Sequence, residues 1–186
     1  MIPPFNHNNV LPPYQGINPA SRNALSPYQC TIMEFCQRFA ISNKRVLILK
    51  GFIQFRLKCY DIRITNGFQW IDGSFTEDIM ASDNREPNDI DVVSFLFGLK
   101  ANPNIIIEIN NKFQEFLNPT LSKINYHVDH YLVEADKNPI TTISAVKYWN
   151  QLFGHNRKGI WKGMVEIPFY PTNAEDTDAF NYLNSL

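Results

Sequence analysis

Apolar residues fall along this chain in short blocks whose spacing switches between a helical and an extended period. Within residues 29–40, Ile32, Met33, Phe35, Cys36 and Phe39 recur three and four apart, as one face of a helix requires. A cap at Ser42 or Asn43 opens a second predicted helix running to about Tyr60. Val46, Leu49, Ile53 and Leu57 form its apolar stripe, and Lys44, Arg45, Lys50, Arg56 and Lys58 largely face elsewhere. Asn66 and Gly67 signal a turn, after which 68–72 has strand composition and stops at Gly73. An acidic, polar stretch over 77–88 then gives way to a second predicted strand at 90–95. Residues 106–117 predict a helix, although 105–107 equally fits the start of a strand, and Asn118 with Pro119 ends the segment. Alternation over 126–133 predicts a third strand with Asp129 near its centre. Pro139 opens a helix through Val146, Trp149 and Leu152 to a stop at Gly154, a short strand follows at 164–167, and an acidic last helix starts near Ala174.

This order predicts an α+β fold, a small mixed β-sheet flanked by helices. Residues 1–28 stand apart: Pro3, Pro4, Pro12, Pro13, Pro19 and Pro27 remove backbone donors and prevent regular pairing. They predict an extended arm that becomes ordered only by packing on the single domain formed by 29–186. A hydrophobic content of 44%, with 14 Phe and 8 Tyr, suffices to fill one core in 186 residues.

With 17 basic against 18 acidic residues, no chain-wide cationic field exists to drive non-specific binding to nucleic acid or an anionic membrane. A local basic patch stays open. The longest apolar runs, at 46–49 and 105–107, fall far short of the roughly 20 residues that cross a bilayer. Residues 2–6 do not read as a secretion signal, so a cytoplasmic protein without membrane contact is expected. Cys30, Cys36 and Cys59 lack metal or redox spacing and read as small buried hydrophobes, and the four His are scattered without ligand spacing.

The candidate chemistry lies where a strand ending in Asp72, Gly73 and Ser74 is followed by Asp89, Ile90, Asp91 and Val92. Strand side chains alternate, so Asp89 and Asp91 share a face, and two carboxylates so placed need a cation or a proton. Magnesium suits them, because it takes one or two carboxylates together with waters and substrate phosphate oxygens. Gly73 lets the backbone approach a phosphate, while the Ser74 hydroxyl and nearby amides donate to it, above all if a helix begins near Phe75. A third acid on a neighbouring strand, for which Asp129 is the candidate, would complete a magnesium site and help activate an attacking hydroxyl. Arg157, Lys158 and Lys162 lie beside Trp149, Phe153 and Trp161. The mixture reads first as a solvated helix end with a core anchor, and secondarily as a clamp for phosphate and base.

The Gly-Ser turn, the Asp-x-Asp pair and the later strand Asp resemble the nucleotidyltransferase superfamily that includes DNA polymerase beta. The opening Ile2, Pro3, Pro4, Phe5 and Asn6, the Leu11, Pro12, Pro13 triplet, the run from Trp70 to Phe75 and the run from Pro87 to Val93 are together similar to a compact prokaryotic family of nucleotidyltransferase-like proteins. The resemblance implies the nucleotidyltransferase fold, triphosphate contacts from Gly73 and Ser74, magnesium on Asp89 and Asp91, and Asp129 as third acid. It further implies nucleotidyl transfer, most simply of AMP from ATP, to a hydroxyl of a protein or nucleic-acid acceptor. Other small proteins of this kind resemble halves of toxin-antitoxin or phage-defence pairs, and on that pattern the chain is a weakly or non-catalytic nucleotide-binding protein with a protein partner.

Overall fold

The computed structural model describes residues 1–21 and 24–186. Among them are seven α-helices and one five-stranded mixed sheet, which makes the class α+β. In chain order the elements are β1 (Tyr28–Gln29), α1 (Ile32–Phe39), α2 (Asn43–Asp61), β2 (Gly67–Asp72), α3 (Ile79–Asp83), β3 (Ile90–Leu96), α4 (Asn104–Lys112), α5 (Pro119–Tyr126), β4 (Val128–Glu134), α6 (Pro139–Phe153), β5 (Val165–Pro168) and α7 (Ala174–Asn184). Short 3-10 turns lie at Ser74–Thr76 and Gln114–Phe116. Spatial order is β1-β5-β2-β3-β4, with β2 antiparallel to both β3 and β5, β4 parallel to β3, and β1 parallel to β5. No described helix is long and apolar enough to cross a membrane.

Alternation along the strands gives the sheet two cores. Ile71, Ile90, Val92, Leu96 and Val128 face α1, α2 and α7 in the larger one. Trp70, Val93, Phe95 and Val133 face Trp149 and Phe153 of α6 in the smaller. Beneath the larger face runs a fully satisfied polar chain. Arg56 pairs with Asp176 and donates to Gln69 Oε1 at 2.7 Å, Gln69 Nε2 donates to Ser94 Oγ at 3.0 Å, and Ser94 Oγ lies 2.8 Å from His130 Nε2. His130 Nδ1 sits 2.8 Å from the Phe116 carbonyl, which requires the proton on Nδ1 and leaves Nε2 to accept from Ser94. Burial drives the His130 pKa down to about 3, so the ring is neutral.

Several boundaries differ from those predicted. The first helix begins at Ile32, because Thr31 and Glu34 form a reciprocal capping box and Tyr28 and Gln29 are drawn into the sheet by β5. The charged side chains of α2 do not all face outward: Arg45 and Arg56 are buried. The expected helix over 106–117 is two pieces, α4 and a 3-10 turn. Asn118 and Pro119 do end it, but they also begin α5, Asn118 accepting from the Thr120 and Leu121 amides with Pro119 at the first turn. His127, at φ 58°, closes α5, so the third predicted strand starts at Val128. The polar stretch before β3 contains α3, and no α-helix begins near Phe75, where a three-residue 3-10 turn stands instead.

Residues of the arm pack on the body. Val10 and Leu11 are buried, the Asp78 amide donates to the Asn9 carbonyl at 2.8 Å, and the Gly163 amide donates to the Leu11 carbonyl at 2.8 Å. Cys30, Cys36 and Cys59 are all free thiols in the core, as expected of small hydrophobes.

Candidate functional site

Strand register sets a row of carboxylates across the sheet. Asp72 at the end of β2 is paired with Asp91 of β3, and Asp91 is paired with Asp129 of β4. All three belong to the alternation set that includes Trp70, Val93 and Val133, so they share the α6 side of the sheet, and Asp89, two residues before Asp91, follows the same parity. The row stands at one end of the sheet, where β2 leaves for the Gly73 turn and β3 and β4 enter.

Gly73 fits this junction for a steric reason. Its φ of 81° and ψ of −167° suit glycine, and a Cβ built there would lie 1.8 Å from Asp91 Oδ2. The loop that follows is clamped from three sides. Arg45 donates to the Phe75 and Glu77 carbonyls, both at 2.6 Å, and stacks over the Phe75 ring. Lys162 Nζ donates to the Gly73 carbonyl at 2.8 Å and pairs with Glu77 at 2.7 Å and Asp72 at 3.1 Å. Thr76 Oγ1 donates to Asp72 Oδ1 at 3.2 Å. Ser74 begins the 3-10 turn and is half-buried.

These surroundings set the charges. Burial pushes Asp72 up to about 7 against the opposing pull of Lys162. Burial, reinforced by Asp89 and Asp129, pushes Asp91 up to about 6. Burial depresses Lys162, but Asp72 and Glu77 outweigh it and hold the ammonium above its ordinary value. Lys123 of α5 lies 2.6 Å from Asp89 Oδ2 and 3.2 Å from Asp129 Oδ2, and its hydrogen bond to Asp89 is the largest cause of its raised pKa.

A magnesium ion can be tested against this donor set. Carboxylate oxygens are the hard ligands it prefers, and Asp89 and Asp129 add to the burial that raises the Asp91 pKa. Among the described residues, however, no three His, Cys, Asp or Glu side chains are gathered as they would be around a metal. Lys123 supplies the neutralising charge between Asp89 and Asp129 instead. Its side chain is 48% exposed, so it can swing into solvent, and Asp89, Asp91 and Asp129 are the residues that would then offer oxygens to a cation.

The structure thus brings Gly73, Ser74, Asp89, Asp91 and Asp129 to one end of the sheet, and it disperses the basic candidates. Lys162 reaches the Gly73 turn, but as a buried structural cation bound to a carbonyl and two carboxylates, not as an open phosphate ligand. Lys158 pairs with Asp83, Arg157 is exposed, and the exposed Trp161 packs against Tyr14 of the arm at 6.0 Å. Of the site residues, Asp72 reads from the sequence only as the end of a strand, and Glu77, Lys123 and Arg45 have no place in the site on that reading. Asp72 had a local signal, since it directly precedes the Gly-Ser turn and has the parity of Trp70. The other three depend on partners distant in the chain.

No curated protein and no solved structure matches the chain. One family does, over residues 3–168, and the chain accordingly belongs to that family of unknown function, DUF6932.

Proposed function

We propose that the protein is a magnesium-dependent nucleotidyltransferase with a nucleotidyltransferase-type sheet, moving AMP from ATP to an acceptor hydroxyl. The observation that carries this reading is the in-register row of Asp72, Asp91 and Asp129, with the Gly73 main chain pressed against the Asp91 carboxylate. A Gly-Ser turn for the triphosphate then lies next to the acids that would hold the metal.

In this reading Gly73 and Ser74 receive the phosphates through backbone and hydroxyl donors, and Asp89 and Asp91 provide the metal-binding oxygens. A magnesium ion held by these residues would supply charge to neutralise phosphate oxygens and to make an attacking hydroxyl more acidic. Asp129 accepts the proton of the acceptor hydroxyl, whose oxygen forms a bond to the α-phosphorus. The bond from that phosphorus to its bridging oxygen breaks, and pyrophosphate leaves. Asp72 and Lys162 do not touch substrate; they fix the turn that does.

Titration calorimetry with ATP, GTP, CTP and UTP in magnesium, on the parent and on Asp91→Asn, tests the reading. Binding of ATP that needs magnesium and is lost in the variant supports it, and no heat from any nucleotide overturns it. A second reading, a weakly or non-catalytic nucleotide-binding protein that works by pairing with another protein, is favoured by α6. This helix exposes Ile140, Ile143, Val146, Tyr148 and Leu152 and carries one charged residue.

A further inference from the structure

At the β4 end of the sheet the structure leaves a strand without a partner. β4 pairs with β3 on one side only. The Ala135 amide donates to the Leu96 carbonyl and the His127 carbonyl accepts from the Ile90 amide, which fixes the direction of the alternate groups between them. Asp129, Tyr131 and Val133 turn their amides and carbonyls toward β3, and those of His130, Leu132 and Glu134 point to the open edge. Of these groups only the Glu134 carbonyl meets a described backbone donor, the Lys137 amide at 3.4 Å.

A groove of about 830 Å3 runs along this edge and has a wall on each face of the sheet. Thr141 and Ala145 of α6 stand on the Tyr131 side, and Leu117 and Pro119 stand on the His130 side. The two charged lining residues, Glu134 and Lys137, neutralise each other at 2.8 Å. A slot with unpaired main-chain donors and acceptors at its floor, two flanking walls and no net charge suits an extended polypeptide. It does not suit a nucleic-acid strand, which needs basic side chains along its phosphates.

We propose that the acceptor is an extended polypeptide segment that adds to the β4 edge, pairing its backbone with His130, Leu132 and the Glu134 amide. The added strand directs alternate side chains toward the α6 wall and toward Leu117 and Pro119. A serine, threonine or tyrosine hydroxyl on the α6 side, near the start of β4, lies beside Asp129. Assignment of this segment as acceptor rests on the nucleotidyl-transfer reading, whereas its binding does not.

The test uses the full chain without nucleotide or magnesium. A displayed library of random dodecapeptides is selected on the parent, and the recovered peptides are measured against Leu132→Pro, which removes one edge donor, and against Thr141→Arg, which fills one wall. The expected peptides alternate β-branched or aromatic residues, bind each folded variant roughly tenfold or more weakly, and slow hydrogen exchange at His130, Leu132 and Glu134. No enriched peptide, equal binding to Thr141→Arg, or protection elsewhere overturns the proposal. So does a parent dimer in sedimentation velocity that Thr141→Arg converts to monomer, because the occupant is then a second copy. Failure of the calorimetric test with peptide binding intact would remove nucleotidyl transfer and leave the peptide groove standing.

Discussion

Substituting alanine for Gly73 strikes the contact between the turn and the acid row, and its effect can be worked in two parts. The backbone at φ 81° and ψ −167° is one that a side chain resists, at about 1–3 kcal/mol. The new Cβ would also lie 1.8 Å from Asp91 Oδ2 and 2.8 Å from its Cγ, so the carboxylate must retreat by well over an ångström from a half-buried position. Overpacking of that kind adds about 1–3 kcal/mol. The expected loss is therefore about 2–6 kcal/mol, at about 2–4 °C of Tm per kcal/mol for a chain of this size. Urea unfolding followed by tryptophan fluorescence measures it. A double-mutant cycle separates the parts, since Asp91→Ala removes the obstructing carboxylate and leaves the backbone term. Gly73→Ala should be less damaging in the Asp91→Ala background by at least about 1 kcal/mol. Equal damage in both backgrounds, or a loss below about 1 kcal/mol in the parent, would refute the account of this junction.

Three further outcomes are expected. Asp72 and Asp91 hold folded pKa values of about 7 and about 6, above the ordinary 3.8, so the folded state binds more protons than the unfolded one between pH 4 and 7. Stability should then fall as pH rises through that window, and Asp72→Asn with Asp91→Asn should flatten the dependence of the urea midpoint on pH. Arg56→Met strands the buried Asp176 carboxylate and should cost about 3–5 kcal/mol in the same unfolding assay, whereas Lys112→Met, which breaks the exposed pair with Glu108, should cost under about 1 kcal/mol. Lys123→Met removes the internal counter-ion of Asp89 and Asp129 and should tighten binding of Mn2+, read by electron paramagnetic resonance; weaker binding would show that the ammonium supports the site.

Local spacing made most elements legible in the sequence. The alternation around Asp129 revealed a strand, and the Gly73 turn followed by Asp89 and Asp91 marked the candidate site. Which residues stand side by side was not legible, because register depends on pairings between distant segments: Asp91 meets Asp129 only through the β3–β4 pairing and Asp72 only through β2–β3. The same limit explains Arg45 and Arg56, which read as solvent-facing charges. Their partners, the Phe75 and Glu77 carbonyls and Asp176, are 30 to 120 residues away. At Asn118 and Pro119 the difficulty was local, since a helix stop and a helix start use the same residue types. The basic segment 157–162 misled for a different reason: composition marked Lys162 as a phosphate ligand, but Asp72 and Glu77 had already claimed its charge.

The clamp around Gly73 has a consequence for the order in which the molecule is made. Its parts come from Asn9 and Leu11, from Arg45, from 72–78 and from Lys162 and Gly163, so that a bond such as Lys162 to the Gly73 carbonyl closes a loop of 89 residues. The early helices can form from neighbouring residues, but the turn cannot be fixed until the segment that ends in β5 has been synthesised and has returned to β2. A nascent chain can therefore align its acids through the β2–β3–β4 pairings while its Gly-Ser turn still lacks the Lys162 clamp, which closes only after that later segment has returned to the turn.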